Sequence, residues 1–362
     1  MNETRDLVRT WRSLEDGGEP MLLATLIRTA GSSYRRPGAR MLMSQRRWLA
    51  GGISGGCLED DLLRKAWWYT SSGRARRIEY DTMGDAEDAG AGFGLGCDGR
   101  LELLLEHLLS TDPVHPLRFI EHCFAAGEPG VMATVVRGDE GLGHRWLRDA
   151  HGWTACNMAD ERWKAEIERA AATALESERS MYLTLDAADV FVEVVLPPRP
   201  LVVFGSNYDV VPVIEQAKCV GWDVSVVARR ASEGARERCA RADAFVVAAP
   251  ADIRIGRRTA VLVMTHNYES DLEILKSILP SPAPYVGILG PRTRTDRLLS
   301  DVLRAGVSVS PAQLQRVRAP VGLDLGAHGP ADIALAMIAE IQSVMSQRSA
   351  RPLSECQSRN AT

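Results

Sequence analysis

Residues 201–210 read Leu201-Val202-Val203-Phe204-Gly205-Ser206-Asn207-Tyr208-Asp209-Val210, and this stretch decides the fold class. A short apolar run rich in branched residues that ends at a glycine is typical of a buried strand turning toward a helix. Further short apolar runs follow at 223–228, 244–249, 260–264 and 285–289, with helical patterns after most of them. Strands that alternate with helices indicate βαβ units, so we predict an α/β protein with a doubly wound parallel sheet in its C-terminal part.

The turn after the first strand is where a Rossmann-like sheet keeps its phosphate-binding fingerprint, G-x-G-x-x-G/A. Gly205 retains the first glycine, but Asn207 replaces the second and would project a Cβ toward a pyrophosphate. The second strand is followed by Arg229 and Arg230, where a chain that binds NAD carries an acidic residue for the ribose. Ordinary NAD binding is therefore disfavoured. The arginine pair leaves open NADP, a phosphorylated pterin, or a solvated loop beside a vestigial site.

Polar residues follow the later strands at the same predicted edge. His266 and Asn267 come directly after the run at 260–264, at the carboxyl edge where open α/β sheets bind ligands. His266 is thus a candidate for proton transfer or ligand contact, with a simple helix cap as the alternative. Arg292 follows the next strand and adds positive charge, while Asp324 precedes the last helix.

Glycine is concentrated in one part of the chain, since 13 of the 31 glycines lie between Gly31 and Gly99. This part carries three loop motifs, namely Tyr34-Arg35-Arg36 beside Pro37-Gly38, Ser54-Gly55-Gly56-Cys57-Leu58-Glu59, and Gly94-Leu95-Gly96-Cys97-Asp98-Gly99. We predict a Gly-rich α+β N-terminal domain, smaller than the rest of the chain, in which these loops expose backbone to a ligand.

Two cysteines stand inside these glycine loops. Cys57 begins a predicted helix at 57–69, where unpaired N–H groups attract an anion and lower the pKa of a thiol. Cys97 precedes a strand, and the two thiols could face one pocket. Packed small side chains are the alternative for both. The guanidinium of Arg35 suits phosphate or carboxylate, or else belongs to a solvated loop.

Composition excludes several other classes of protein. The chain has 362 residues, a net charge of −4 and no long basic stripe, which disfavours nucleic acid as a partner. No apolar run is long enough to span a membrane, and the first residues lack a signal peptide, so we expect a cytoplasmic protein. The seven cysteines contain no C-x-x-C pair, which disfavours a disulfide framework or a zinc ribbon. We expect no internal repeat.

The pattern of elements and turns predicts four regions. These are an N-terminal domain at 1–112, a connecting α+β region at 113–198, a Rossmann-like domain at 199–346 and a polar tail at 347–362.

Together the motifs resemble the xanthine dehydrogenase accessory protein family of the XdhC/CoxI type. The resemblance is carried by Gly55-Gly56-Cys57-Leu58-Glu59, Gly94-Leu95-Gly96-Cys97, Met264-Thr265-His266-Asn267, Tyr285-Val286-Gly287-Ile288-Leu289-Gly290 and Pro320-Val321-Gly322-Leu323-Asp324-Leu325-Gly326-Ala327. The chain departs from the family at Gly205-Ser206-Asn207-Tyr208, where family members resemble G-A-G-H, and at Arg229, where they tend to carry an acid.

The resemblance implies a homodimeric protein that acts in the maturation of molybdenum hydroxylases. Such a protein holds the molybdenum cofactor (molybdopterin), protects it while a cysteine desulfurase supplies sulfide, and delivers it to an apo-enzyme such as xanthine dehydrogenase. A cofactor carrier is thus the first hypothesis. The second is an NADP-dependent or other nucleotide-using oxidoreductase with His266 as catalytic acid or base, and the third is a scaffold with a dead ligand site.

On these grounds one set of residues is assigned to the cofactor and Cys57 to its metal. The assigned residues are Arg35, Gly55, Gly56, Cys57, Glu59, Gly96, Cys97, Gly205, Asn207, Arg229, Arg230, Asn267, Arg292 and Asp324.

Overall fold

The chain divides into two compact units, the first at Asn2–Pro197 and the second beginning at Pro198. The structure is a computed structural model, and it describes residues 2–31, 35–56, 58–81, 99–138, 141–158, 161–230 and 232–356. In these described ranges, no helix has the length and apolar character needed to cross a bilayer.

The first unit consists of two halves with the same order of elements, αβββαββ. The first half comprises α1 (Asn2–Glu15), β1 (Met21–Gly31), β2 (Arg40–Ser44), β3 (Trp48–Gly51), α2 (Glu59–Tyr69), β4 (Arg76–Asp81) and β5 (Gly99–Leu108). The second half comprises α3 (Pro116–Ala126), β6 (Gly130–Gly138), β7 (Arg145–Arg148), β8 (Thr154–Cys156), α4 (Lys164–Ser177), β9 (Met181–Leu185) and β10 (Ala188–Val195).

Each half forms a five-stranded antiparallel sheet with the same topology. The strand orders are β3-β2-β1-β5-β4 and β8-β7-β6-β10-β9, so each strand of one half has a counterpart in the other. Our expectation that the chain has no internal repeat is therefore wrong. Much of the second half lies in the segment that we predicted as a connecting region.

One stretch of sequence preserves this repeat. Residues 18–28 read GEPMLLATLIR and residues 127–137 read GEPGVMATVVR, with six of eleven positions identical. Both stretches begin with a glycine in the left-handed conformation that follows a helix, Gly18 at φ +67° and Gly127 at φ +69°. The similarity is difficult to recognise because elsewhere the two halves need to share only the same alternation of buried and exposed positions.

Two buried ion pairs join the halves in a reciprocal way. Arg40 on β2 of the first half donates to Glu193 on β10 of the second, with 2.9 Å between Nη1 and Oε1. Arg145 on β7 of the second half donates to Glu106 on β5 of the first, with 2.6 Å between Nη2 and Oε2. Because β2 corresponds to β7 and β5 to β10, the same pairing occurs twice. A buried charge needs such a partner to offset its desolvation.

The second unit contains a six-stranded parallel sheet. Its elements are β11 (Pro200–Phe204), α5 (Val210–Cys219), β12 (Asp223–Ala228), α6 (Glu233–Arg238), β13 (Ala244–Val247), β14 (Ala260–Val263), α7 (Tyr268–Ile278), β15 (Tyr285–Ile288), α8 (Arg292–Arg304), α9 (Pro311–Leu314), β16 (Val317–Arg318) and α10 (Pro330–Met345).

The strand order in this sheet is β13-β12-β11-β14-β15-β16. From β11 the chain first adds β12 and β13 toward one edge of the sheet. It then returns and adds β14, β15 and β16 toward the other edge, which is the doubly wound Rossmann arrangement. Both faces are buried, since Val203 and Leu262 pack on one side and Val202 and Val261 on the other. The predicted α/β fold with a C-terminal Rossmann-like sheet is therefore confirmed.

Candidate functional site

The three loop motifs of the first half lie in connections that leave its sheet in the same direction. β1 and β3 are both antiparallel to β2, and β1 and β4 are both antiparallel to β5, so β1, β3 and β4 run in the same direction. The connections that follow these strands, 32–39, 52–58 and 82–98, contain the three loop motifs. β1 and β4 end close together, because Gly31 pairs with Gly99 and Asp81 with Arg100, whereas β3 ends level with Ala24, in the middle of β1. The connections from β1 and β4 therefore start together, and the connection from β3 starts several residues earlier along the strand direction.

The connection from β3 to α2 is fixed by close backbone contacts. Gly51 has φ +72°, and a Cβ at this position would lie 2.1 Å from the carbonyl oxygen of Arg40. Only glycine fits so close to the neighbouring strand. By contrast, a Cβ at Gly55 or Gly56 would meet none of the described residues within 4 Å. The loop is therefore anchored at its start and presents open backbone near its end.

Glu59, at the first position of α2, organises this loop. Its buried carboxylate accepts hydrogen bonds from the backbone N–H groups of Ile53 at 2.8 Å, Ser54 at 2.7 Å and Gly56 at 3.1 Å. It also accepts one from the Ser54 hydroxyl at 2.6 Å. Burial alone raises the pKa of this carboxyl group, but these hydrogen bonds favour the ionised form, and the pKa of Glu59 lies below its ordinary value.

These hydrogen bonds change the chemistry that the loop offers to a ligand. Three backbone N–H groups of the loop before α2, where the sequence predicts an anion site, donate to the Glu59 carboxylate, and Glu59 itself was predicted to bind the cofactor. Glu59 is also one of three acidic residues in the first turn of α2. The negative charge of these carboxylates opposes a second anion at this helix start.

Arg35 lies beside the same loop. Its guanidinium donates to both carboxylate oxygens of Glu3 on α1, one of them at 2.7 Å through Nη2. Its Nε donates to the Ser54 carbonyl at 3.4 Å. The hydrogen bond from Arg35 is the leading cause that lowers the pKa of Glu3. Glu3 is a member of this cluster that the sequence did not reveal, because nothing in the pattern of α1 marks one acidic residue over another.

The remaining N-terminal assignments fall on residues without a described position. Cys57, Gly96 and Cys97 lie outside the described residues, so the expectation that the two thiols face one pocket stays a prediction. Across the described part of the chain, no group of three or more potential metal ligands comes together.

In the second unit, a cavity of about 700 Å³ lies at the carboxyl edge of the parallel sheet. Predicted residues from three strand ends line it, namely Gly205, Asn207, Arg229, Arg230 and Asn267. Gly205 has φ +127°, and a Cβ there would lie 2.4 Å from the Met264 carbonyl oxygen, so glycine permits β11 and β14 to end side by side. Arg229 lies 3.2 Å from the Glu273 carboxylate on α7.

His266 is aimed away from this cavity. It has φ +59°, a conformation that costs a residue with a side chain about 1 kcal/mol or more. Its Nε2 lies 2.6 Å from the carboxylate of Asp209, which immediately precedes α5. This pair ties the end of β14 to the turn after β11, across the crevice where the strand order reverses. Both residues line a second cavity of about 380 Å³ between α5, α8 and α10.

Asp209 is the partner that sequence reasoning missed. The two residues are 57 positions apart, and an acidic residue just before a helix is usually a cap. Here the Asp209 side chain makes no cap hydrogen bond to α5. Asn267 does cap α7, since its Oδ1 accepts from the Ser270 N–H at 2.9 Å. Arg292 and Asp324 line neither of these two cavities.

Two family models match this chain in the order of its two units. Residues 14–81 match the XdhC and CoxI family, and residues 201–341 match the XdhC Rossmann domain. The chain belongs to the XdhC and CoxI family. The first match covers the connections from β1 and β3, and the second covers most of the parallel sheet.

Full-length relatives and a solved structure agree with this membership. A Bacillus subtilis protein described as a probable xanthine dehydrogenase subunit is 27% identical over 91% of this chain and 94% of its own length. The Escherichia coli protein "Molybdenum cofactor insertion chaperone PaoD" is 24% identical over 90% of this chain and 84% of its own length. A crystal structure described as a xanthine dehydrogenase from Bacillus halodurans superposes with a TM-score of 0.75 at 26% identity, covering 97% of this chain and 98% of that one.

Within this XdhC and CoxI chain, the predicted site residues form two groups in different units. Arg35, Gly55, Gly56 and Glu59 meet around the β3–α2 loop of the first unit. Gly205, Asn207, Arg229, Arg230 and Asn267 meet around the larger cavity of the second.

Proposed function

We propose that this protein holds the molybdenum cofactor as cargo and passes it to a molybdenum hydroxylase. The observation that carries the proposal is the β3–α2 loop, which Glu59 holds through its backbone N–H groups and beside which Arg35 lies. Bare backbone at Gly55 and Gly56 admits a bulky planar ligand, and the thiol of Cys57 that follows is a soft ligand suited to the metal. The named chaperone among the relatives supports the same proposal.

The residues of the loop have distinct parts in this proposal. Glu59 positions the loop rather than contacting the cargo, because its carboxylate oxygens already accept hydrogen bonds from Ile53, Ser54 and Gly56. Arg35 supplies the positive charge nearest to the loop, although Glu3 already neutralises part of it. In this proposal Cys57 is assigned to the metal, and Gly96 and Cys97 to the cofactor.

The direct test is the cargo itself. The full chain, purified from a host that makes the cofactor, should carry near-stoichiometric molybdenum by elemental analysis and pterin by fluorescence. Mixed with an apo-hydroxylase, it should lose both as the enzyme gains them. A chain free of molybdenum and pterin under these conditions would overturn the proposal.

The partners and setting of this carrier are part of the proposal. We expect a cytoplasmic homodimer that meets a cysteine desulfurase while the cofactor is bound, and the apo-hydroxylase afterwards. Sedimentation of the purified chain tests the dimer. Transfer of labelled sulfur from a desulfurase to chain-bound cofactor, absent when the chain is omitted, tests the sulfuration step.

A second candidate function is favoured by one observation in the C-terminal unit. The 700 Å³ cavity is lined by Arg229 and Arg230 at the position that faces the ribose in a Rossmann fold. A 2′-phosphate bound there would favour an NADP-dependent oxidoreductase, in which His266 would have to leave Asp209 and turn from the second cavity to act as acid or base. Titration with NADPH and NADH separates the functions, because saturable NADPH binding that is lost in Arg230→Ala supports this alternative and no binding of either removes it.

A further inference from the structure

Trp48, the first residue of β3, is an exposed aromatic ring held in a fixed position. The residue is 45% exposed, although an indole is among the most apolar surfaces a protein can leave in water. Its Nε1 donates a hydrogen bond to the Gly51 carbonyl at 2.8 Å. The ring is therefore tied back onto its own strand, and its orientation is set before any ligand arrives.

This ring stands at the start of the loop that leads to Cys57. Three side chains approach Gly52. A Cβ added to this glycine would lie 3.7 Å from Cζ2 of Trp48, 3.5 Å from Nη2 of Arg35 and 3.3 Å from Oε1 of Glu59. The indole edge, the guanidinium and the loop carboxylate thus converge on one glycine. Beyond it lie Gly55 and Gly56, where an added Cβ would meet no atom within 4 Å in the part of the chain that the structure describes.

We infer that Trp48 is the stacking platform for the flat pterin ring of the cargo, an inference that rests on the proposed function. A half-exposed ring with fixed orientation stacks on a planar heteroaromatic ligand at little conformational cost. The pterin ring is the part of the cofactor with this shape. Trp48 then holds the organic end of the cargo while the loop toward Cys57 meets the metal end.

The second half of the unit provides a matched control. Trp153 precedes β8, in the hairpin that corresponds to the hairpin of β2 and β3, and it is 49% exposed. Its ring stacks against Phe119 at 6.3 Å between centroids and packs near His122 at 5.8 Å. Trp153 is thus equally exposed but is engaged by side chains of its own half, and no glycine-rich cysteine loop follows it.

The experiment compares Trp48→Leu, Trp48→Phe and Trp153→Leu in the full chain, each loaded with cofactor in the producing host. The dissociation constant is measured from the pterin that remains after equilibrium dialysis, and circular dichroism confirms that each variant is folded. Removing an aromatic side chain that stacks on a nucleic-acid base costs about 1–3 kcal/mol of binding. By analogy, Trp48→Leu should raise the dissociation constant of the cofactor about 5- to 150-fold. Trp48→Phe keeps a flat ring and should recover most of the affinity, and Trp153→Leu should match the unaltered chain.

Several results would overturn the stacking role. Retention unchanged in Trp48→Leu, or weakened equally in Trp153→Leu, contradicts it while leaving the proposed function in place. Normal retention combined with failed transfer to the apo-hydroxylase would assign Trp48 to a protein interface instead. If the unaltered chain carries no cofactor, the proposed function fails, and the stacking role fails with it.

Discussion

The two halves of the N-terminal unit share a topology but differ in the segments that join their strands. In the first half, β4 and β5 are separated by residues 82–98, which contain a glycine-rich cysteine motif. In the second half, β9 and β10 are separated by only Asp186 and Ala187. The segments after β3 and β8 differ likewise, since only the former carries Gly55-Gly56-Cys57.

This difference separates what builds the unit from what we propose binds the cargo. The Arg40–Glu193 and Arg145–Glu106 pairs and the GEP stretches occur in both halves, so they belong to the architecture. The glycine-rich motifs that contain a cysteine occur in one half only. Duplication of a stable scaffold allows one copy to keep its short turns while the other copy lengthens its loops into a site.

The largest loss of stability should come from breaking one of the two buried ion pairs that join the halves. Arg145→Met leaves Glu106 buried without its partner, and Arg40→Met does the same to Glu193, so each should lower the free energy of unfolding by about 3–5 kcal/mol. Urea denaturation of the full chain measures both losses. If the halves are equivalent in architecture, the two values should be similar.

An exposed pair provides the control for these variants. Arg9 lies 3.3 Å from Asp6 on α1, and their side chains are 72% and 63% exposed, so Arg9→Met should cost less than about 1 kcal/mol. If Arg145→Met lowers the free energy of unfolding no more than this control does, the buried pairs do not have the architectural role that we assign to them.

A smaller effect should appear only in the first half. Glu59→Gln removes the charge that binds three backbone N–H groups and the Ser54 hydroxyl, and should lower the free energy of unfolding at neutral pH by about 2–3 kcal/mol. Glu166, in the first turn of α4 in the second half, is exposed, and Glu166→Gln should change stability by less than about 0.5 kcal/mol.

The contribution of Glu59 to the stability of the folded chain should depend on pH. Because its pKa is lowered in the folded chain, its contribution is present above pH 4.5 and is lost as the pH falls through the lowered pKa. Glu59→Gln should remove this part of the acid dependence. A variant with unchanged stability and unchanged acid dependence would show that the loop does not depend on the carboxylate.

His115, just before the first helix of the second half, should affect stability over a different pH range. Burial lowers the pKa of His115 to about 4. Its Nδ1 caps α3 by accepting from the Arg118 N–H at 3.2 Å, and its ring stacks on Trp11. The neutral ring stabilises the fold fully above pH 6.5, and this contribution falls as the pH drops toward 4, by about 2 kcal/mol at pH 5.

His115→Asn tests this assignment, because asparagine also caps a helix but does not titrate in this range. The variant should lose stability less steeply than the unaltered chain between pH 6.5 and 5. Equal slopes in the two proteins would mean that His115 is not the titrating group.

The parallel sheet could be predicted because its strands are short apolar runs, as at 201–204 and 260–263, each buried on both faces. β3 could not, because Trp48-Leu49-Ala50-Gly51 shows neither alternation nor a run of branched residues. The repeat of the two halves was missed because its sequence signal is confined to a single stretch at 18–28 and 127–137.

The site could be predicted only in outline. The residue types at Gly55, Gly56 and Glu59 marked the correct loop, but the role of Glu59 depends on where its side chain folds back. The pairs Arg35–Glu3 and His266–Asp209 join residues 32 and 57 positions apart, and no local pattern encodes such distances. The grouping of Cys57 with Cys97 remains a prediction.

The central claim is that the cargo site belongs to the first half. The most direct test measures molybdenum and pterin per chain in Cys57→Ala and in Cys156→Ala, whose cysteine is an exposed thiol at the end of β8 in the second half. Cys57→Ala should retain about tenfold less cofactor, equivalent to ~1.4 kcal/mol of binding, whereas Cys156→Ala should match the unaltered chain. Equal cofactor content in the two variants would contradict the claim.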